Sequence, residues 1–223
     1  YQPVPTFNRL WDIGRPVASG FRLVDLAPFC NESTVESDGG VWMGKGSEYD
    51  LGALPTGQVW VGETPFLLVD QAANAGKSCI MLADETTRPG VYPEAVWEIP
   101  VGMKTPAIRF LHTCSVPRIR LRPFYDRNRE MMTSIGWYTI TYADGTELRE
   151  ELTYLANMSD WNSQRGPSQA LDLWQGRTAA GALVTLAVWE WTNPEPDREV
   201  ASIGMISAAD QARPVLLGMT VLE

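Results

Sequence analysis

The run from Gly136 to Leu152, Gly-Trp-Tyr-Thr-Ile-Thr-Tyr-Ala-Asp-Gly-Thr-Glu-Leu-Arg-Glu-Glu-Leu, alternates on both sides of Asp144-Gly145. A period of two sends successive side chains to opposite faces of a strand, and Asp-Gly tolerates the positive φ angles of a tight turn. The run therefore predicts an antiparallel hairpin with a type I′ turn. In its first arm Tyr138, Ile140 and Tyr142 share one face, while Trp137, Thr139, Thr141 and Ala143 share the other, more polar one. One face of such a hairpin must be covered by another layer.

The rest of the chain repeats this pattern in short pieces. Its 19 Gly and 16 Pro cut it into β-rich runs, and no capped amphipathic run exceeds about ten residues. Strands are predicted over 21–25, 42–44, 58–61, 66–70, 78–82, 96–101, 107–113 and 118–124. The second half adds 135–142, 147–153, 168–175, 183–192, 201–207 and 214–222. Strands at roughly ten-residue spacing predict an all-β chain of two antiparallel sheets packed face to face, a β-sandwich of jelly-roll type. We expect one such domain over residues 21–223, with residues 1–20 as an N-terminal extension or linker.

Charge and composition narrow the partners. Eighteen basic against 27 acidic residues leave a net charge of −9, so the average surface repels phosphate backbones and anionic headgroups; neither nucleic acid nor membrane is an expected partner. The single His rules out a His-rich metal site, and the three Cys (Cys30, Cys79, Cys114) allow at most one internal disulfide without any CxxC motif. His112, within Arg109-Phe-Leu-His-Thr-Cys, reads as a hydrogen-bonded structural residue, since neither GxSxG nor a catalytic-Cys signature accompanies it.

Nine Trp make aromatic surfaces the most conspicuous chemical resource. A sugar presents a C–H-rich face to a flat ring and hydroxyls to planar polar groups, and the segment Asp160-Trp161-Asn162-Ser163-Gln164-Arg165 offers both within six residues. Trp161, Asp160, Asn162, Gln164 and Arg165 are therefore the first candidate ligand site, with Trp42 and Trp11 as further platforms. Trp60, Trp97, Trp137 and Trp174 lie in alternating or apolar runs and Trp189 and Trp191 share one strand face, so burial between the sheets is expected for most of these six. A two-carboxylate glycosidase or lyase could draw on Glu36, Asp38, Asp50, Asp70, Glu190 and Asp197. Glu36/Asp38 or Asp160/Asn162 could offer oxygens to calcium. Arg118, Arg120 and Arg122, with Arg127 and Arg129 beyond, would project guanidiniums from one strand face toward an acidic polysaccharide or a neighbouring domain.

Several motifs in order carry a resemblance. They are Asp25-Leu-Ala-Pro with Asn31, the glycine-punctuated run from Gly39 to Gly57, Gly62-Glu-Thr-Pro-Phe-Leu-Leu-Val-Asp and Phe110-Leu-His112. Tyr142-Ala-Asp-Gly-Thr, Asp160-Trp161, Trp191-Thr-Asn-Pro-Glu-Pro and Leu216-Leu-Gly-Met-Thr-Val complete the set. Over residues 21–223 the chain resembles the galactose-binding-like β-sandwich modules of bacterial multimodular glycoside hydrolases and polysaccharide lyases. The resemblance implies a jelly-roll fold, often a structural calcium, an extracellular or periplasmic setting, and either carbohydrate binding or an architectural role beside a catalytic domain. It implies no catalytic residues. The expected function is a non-catalytic module that binds a polysaccharide or oligosaccharide; a purely structural module and a stand-alone glycosidase or lyase are the alternatives.

Overall fold

The structure, a computed structural model, describes residues 19–36, 42, 48–87, 90–116, 133–164 and 166–223. Among these, β1 (Phe21–Val24), β2 (Gly57–Val61), β3 (Thr64–Leu68), β4 (Ile80–Met81), β5 (Ala95–Lys104) and β6 (Ala107–Ser115) form the first half. They are followed by β7 (Ser134–Tyr142), β8 (Glu147–Thr153), β9 (Asp172–Arg177), β10 (Leu183–Thr192), β11 (Glu199–Ser207) and β12 (Arg213–Leu222). One 3₁₀ turn, Ala27–Phe29, stands after β1. The predicted strand at 118–124 lies outside the described residues, and Trp42 sits in a turn.

The strands form an antiparallel β-sandwich. One sheet has the order β1-β12-β6-β10-β9, with β4 also on β12; the other has the order β5-β11-β7-β8. Successive strands alternate between the sheets through much of the chain, the interleaved order of a jelly roll. Arg22 of β1 donates to the Val101 carbonyl of β5, tying the two sheets at one edge.

Inward residues of both sheets make the first core. Ile99 and Val101 of β5, Tyr138, Ile140 and Tyr142 of β7, and Ile203 and Met205 of β11 meet Ile108, Phe110, Trp189, Trp191, Leu216 and Met219 of the larger sheet. At its centre Phe110 stacks on Tyr138 with centroids 4.1 Å apart, and His112 lies parallel to Tyr138 and Trp189.

The larger sheet is covered on its second face as well. The β2–β3 hairpin, Trp42 and the turn-rich 48–54 segment bring Trp42, Leu51, Val59 and Phe66 onto Leu111, Val184, Leu186, Val188, Val215 and Leu217. A sheet buried on both faces needs near-continuous apolar strands, which explains the unbroken runs in β10 and β12. The smaller sheet has no such second core among the described residues.

The hairpin of β7 and β8 forms, with Ile140 opposite Leu148 and Thr141 opposite Glu147, a register one residue off the one that a two-residue Asp144-Gly145 turn would set. Its turn differs from expectation. A type I′ turn needs positive φ at two central residues, whereas only Gly145 has one (+84°). Gly145 N–H donates to the Tyr142 carbonyl and Tyr142 N–H to the Thr146 carbonyl, closing a three-residue loop in which Gly145 takes the left-handed position.

Candidate functional site

Two of the sequence-predicted platforms prove to be core. Trp161 and Trp42 are both 0% exposed and meet edge to face with ring centroids 5.5 Å apart. Each indole N–H is satisfied internally, Trp161 Nε1 donating to the Tyr49 carbonyl at 3.0 Å and Trp42 Nε1 to the Ser33 carbonyl at 2.9 Å. The physical reason is the second face of the larger sheet: it is apolar, and these irregular segments supply its cover. Neither ring offers a face to a ligand. Asp160 is buried too, accepting from the Tyr154 hydroxyl at 2.7 Å and from Asn162 N–H at 3.1 Å, so it braces a turn rather than lining a cleft. Asn162 is half-buried and Gln164 exposed. Trp11 and Arg165 lie outside the described residues, as do Asp38 and the arginines from Arg118 to Arg129.

Three of the acidic candidates hold structural contacts, while Asp197 is exposed. Glu190 pairs with Arg109 at 2.7 Å, buried Asp50 accepts from Glu36 N–H and Gly52 N–H, and Asp70 accepts from Ala72 N–H. Among the described residues no three His, Cys, Asp or Glu side chains gather to hold a metal ion. The two oxygens of Asp160 accept from Tyr154 and from Asn162 N–H, and Asp38, of the other pair considered for calcium, lies outside the described residues. His112 is enclosed between Asn157 and Tyr138. Its Nε2 donates to the Asn157 carbonyl at 2.8 Å, which leaves Nδ1 to accept from the Tyr138 hydroxyl at 3.1 Å. Burial, partly opposed by that carbonyl, pushes its pKa down to about 4, so the ring is neutral and structural.

The outer face of the smaller sheet presents a different picture. Trp97 of β5 is 47% exposed, a large apolar ring held at the surface. A β-bulge puts it there. Val96 opposes Met205 and Ile99 opposes Ile203, all inward or packed on the core, so Trp97 and Glu98 together oppose the single residue Gly204. Glu98 takes the left-handed backbone (φ +61°) needed to fit the extra residue. Bulges of this kind re-aim a side chain, and here the result is an indole laid over Gly204. A Cβ on Gly204 would stand 2.7 Å from Trp97 Cε3, so only glycine leaves room for the ring to lie down.

The strand register extends this face across all four strands. Gly204 is paired with Thr139, and Thr139 with Arg149; one step along, Ala95, Ile206, Trp137 and Glu151 form the next row. Trp137 is partly buried and shares the outward parity of Thr139 and Thr141, two strand spacings (about 10 Å) from Trp97. Ser202 and Thr141 face each other on the same side. Thr139 is fully buried, and its hydroxyl has no hydrogen-bond partner. The face thus combines one exposed indole, a second partly covered one, hydroxyls and the Arg149 guanidinium.

Sequence reasoning assigned Trp97 and Trp137 to the core and so missed this surface. A signal for it exists: Val96 and Ile99 are both apolar yet three apart, a spacing that period two cannot satisfy without a bulge between them. The other four in that group are buried, Trp189 and Trp191 between the two sheets as expected, Trp174 in the second core and Trp60 on the β2–β3 hairpin.

Compared with protein-family models, the sequence matches none. It matches no curated protein either.

Proposed function

We propose that this protein is a non-catalytic carbohydrate-binding β-sandwich whose ligand lies across the outer face of the smaller sheet, stacked on Trp97. The observation that carries the reading is the indole itself: exposed, flattened over a glycine and aimed by a bulge with a strained glutamate beside it. Leaving Trp97 47% exposed forgoes about half of the roughly 1.5–3 kcal/mol that full burial of a large side chain supplies, and local backbone strain adds to that cost, a combination that marks functional surfaces. Its surroundings favour a sugar. Beside Trp97 the face mixes the partly exposed Ala95, Ile206 and Trp137 with the Ser202 and Thr141 hydroxyls and the charges of Glu98 and β8, a combination that suits both the C–H face and the hydroxyls of a sugar.

The resemblance to modules of carbohydrate-active enzymes supports the same reading and suggests an extracellular or periplasmic setting beside a catalytic domain. Of the carboxylates considered for glycoside hydrolysis, Glu190 pairs with Arg109 and buried Asp50 braces a turn, which favours the binding module over a two-carboxylate enzyme built on either of them.

Affinity electrophoresis through gels containing soluble polysaccharides tests the reading. Wild type is expected to be retarded by at least one polymer, and Trp97→Ala to migrate freely in the same gel with an unchanged melting temperature. Equal retardation of both proteins would place the ligand elsewhere.

A further inference from the structure

We infer that the glycan taken by the Trp97 face is neutral and that polymers of uronic acids are turned away. The inference rests on the carbohydrate-binding reading above and concerns the charge around the same surface. Glu98 follows Trp97 directly and is exposed. On β8 the outward positions are Glu147, Arg149 and Glu151, all exposed, opposite Thr141, Thr139 and Trp137 in turn. On this face three exposed carboxylates therefore stand against one guanidinium, Glu147 and Glu151 flanking Arg149 on β8 and Glu98 beside Trp97 on β5.

Magnitudes decide what a ligand would feel. Residues two apart on one strand face are about 7 Å from each other, within the Debye length of about 8 Å at physiological salt, so Glu147 and Glu151 cancel the field of Arg149. Lys104, at the far end of β5, is about 20 Å along the strand from Trp97 and is screened. The net charge of −9 on the chain acts in the same direction as the local excess of carboxylates. A carboxylated polymer laid over Trp97 would meet repulsion without an uncompensated cation among the described residues of this face.

Arg149 still has a use. Among the described residues it makes no ion pair, so its five N–H donors are free for hydroxyl oxygens, and Ser202 with Thr141 can both donate and accept. Those groups grip a neutral sugar through many modest hydrogen bonds while the indoles take its C–H face.

The test uses affinity electrophoresis with neutral glucans, mannans, xylans and galactans, with polygalacturonate and alginate, and with carboxyl-reduced polygalacturonate, each run on wild type and Trp97→Ala. The inference expects Trp97-dependent retardation by a neutral polymer, none by either native uronate polymer at low salt. Glu98→Gln/Glu147→Gln/Glu151→Gln, which alters only exposed charges, should gain affinity for uronate polymers by about tenfold. Trp97-dependent binding of a native uronate polymer as tight as that of the neutral ones would overturn this inference and leave the carbohydrate reading standing. Absence of Trp97-dependent binding to every polymer would overturn both.

Discussion

The Trp97 ring lies over Gly204, and a methyl group added at Gly204 would stand 2.7 Å from Trp97 Cε3. The pair is a single device: the bulge turns the indole outward and the glycine lets it lie flat. Gly204→Ala should tilt the ring off the sheet, and because one side of Trp97 faces solvent, the ring can give way without disturbing the core. We expect ligand affinity to fall by ~1–2 kcal/mol, within the range of an aromatic hot spot, while the melting temperature moves by only a few degrees. Isothermal titration and thermal melts on the variant check both halves.

Trp161 should behave in the opposite way. Its indole is fully buried against Trp42, with its N–H held by the Tyr49 carbonyl. Trp161→Ala is expected to cost ~3–5 kcal/mol of stability through lost burial and a cavity. Denaturant unfolding measures it; a loss under ~1 kcal/mol would show that the second face of the larger sheet does not depend on this plug.

His112 gives the fold a defined response to acid. Burial lowers its pKa to about 4, against an ordinary value of 6.5, so the folded state prefers the neutral ring. Between these values the unfolded chain binds the extra proton, and stability therefore falls as pH drops from 6.5 toward 4 and is fully present above 6.5. The loss is roughly 3 kcal/mol at ~1.4 kcal/mol per pH unit. As the chain has one His, its imidazole proton resonances are unambiguous; titration near 6.5 in the folded protein would contradict this placement.

The three cysteines are all free and buried. Burial raises Cys79 and Cys114 well above the ordinary thiol value and pushes Cys30 up to about 12, so none offers a thiolate near neutral pH. A thiol reagent at pH 8 should react slowly with the native protein and find three equivalents in denaturant. Rapid native reaction at any one of them would show that its cover opens.

Much of the fold was legible because its strands obey simple periods. β8 and β10 begin and end where alternation and apolar runs predict, Glu147–Thr153 and Leu183–Thr192. The strand expected at 168–175 starts later, at Asp172, since Gln169 and Leu171 bond through loop contacts to Ala156 and Val188. The site was harder to read. Trp42 and Trp161 sit in segments without a strand period, so the sequence does not show that a second layer folds over the larger sheet and buries them. Trp97 sits in a strand whose phase slips at a bulge, and counting by two through Val96-Trp97-Glu98-Ile99 cannot decide which side the indole takes. Both errors have one cause: burial of an irregular segment and exposure of a bulged residue are set by tertiary neighbours, Tyr49 and Ser33 in one case and Gly204 in the other.

The central claim is that Trp97 is a ligand platform and has no structural duty. The most direct measurement is a titration of Trp97→Ala by isothermal calorimetry with a polysaccharide that retards wild type, paired with a thermal melt. The account predicts affinity lower by at least ~1–3 kcal/mol, tenfold or more, with the melting temperature essentially unchanged. Undiminished affinity in a variant that remains folded would contradict it.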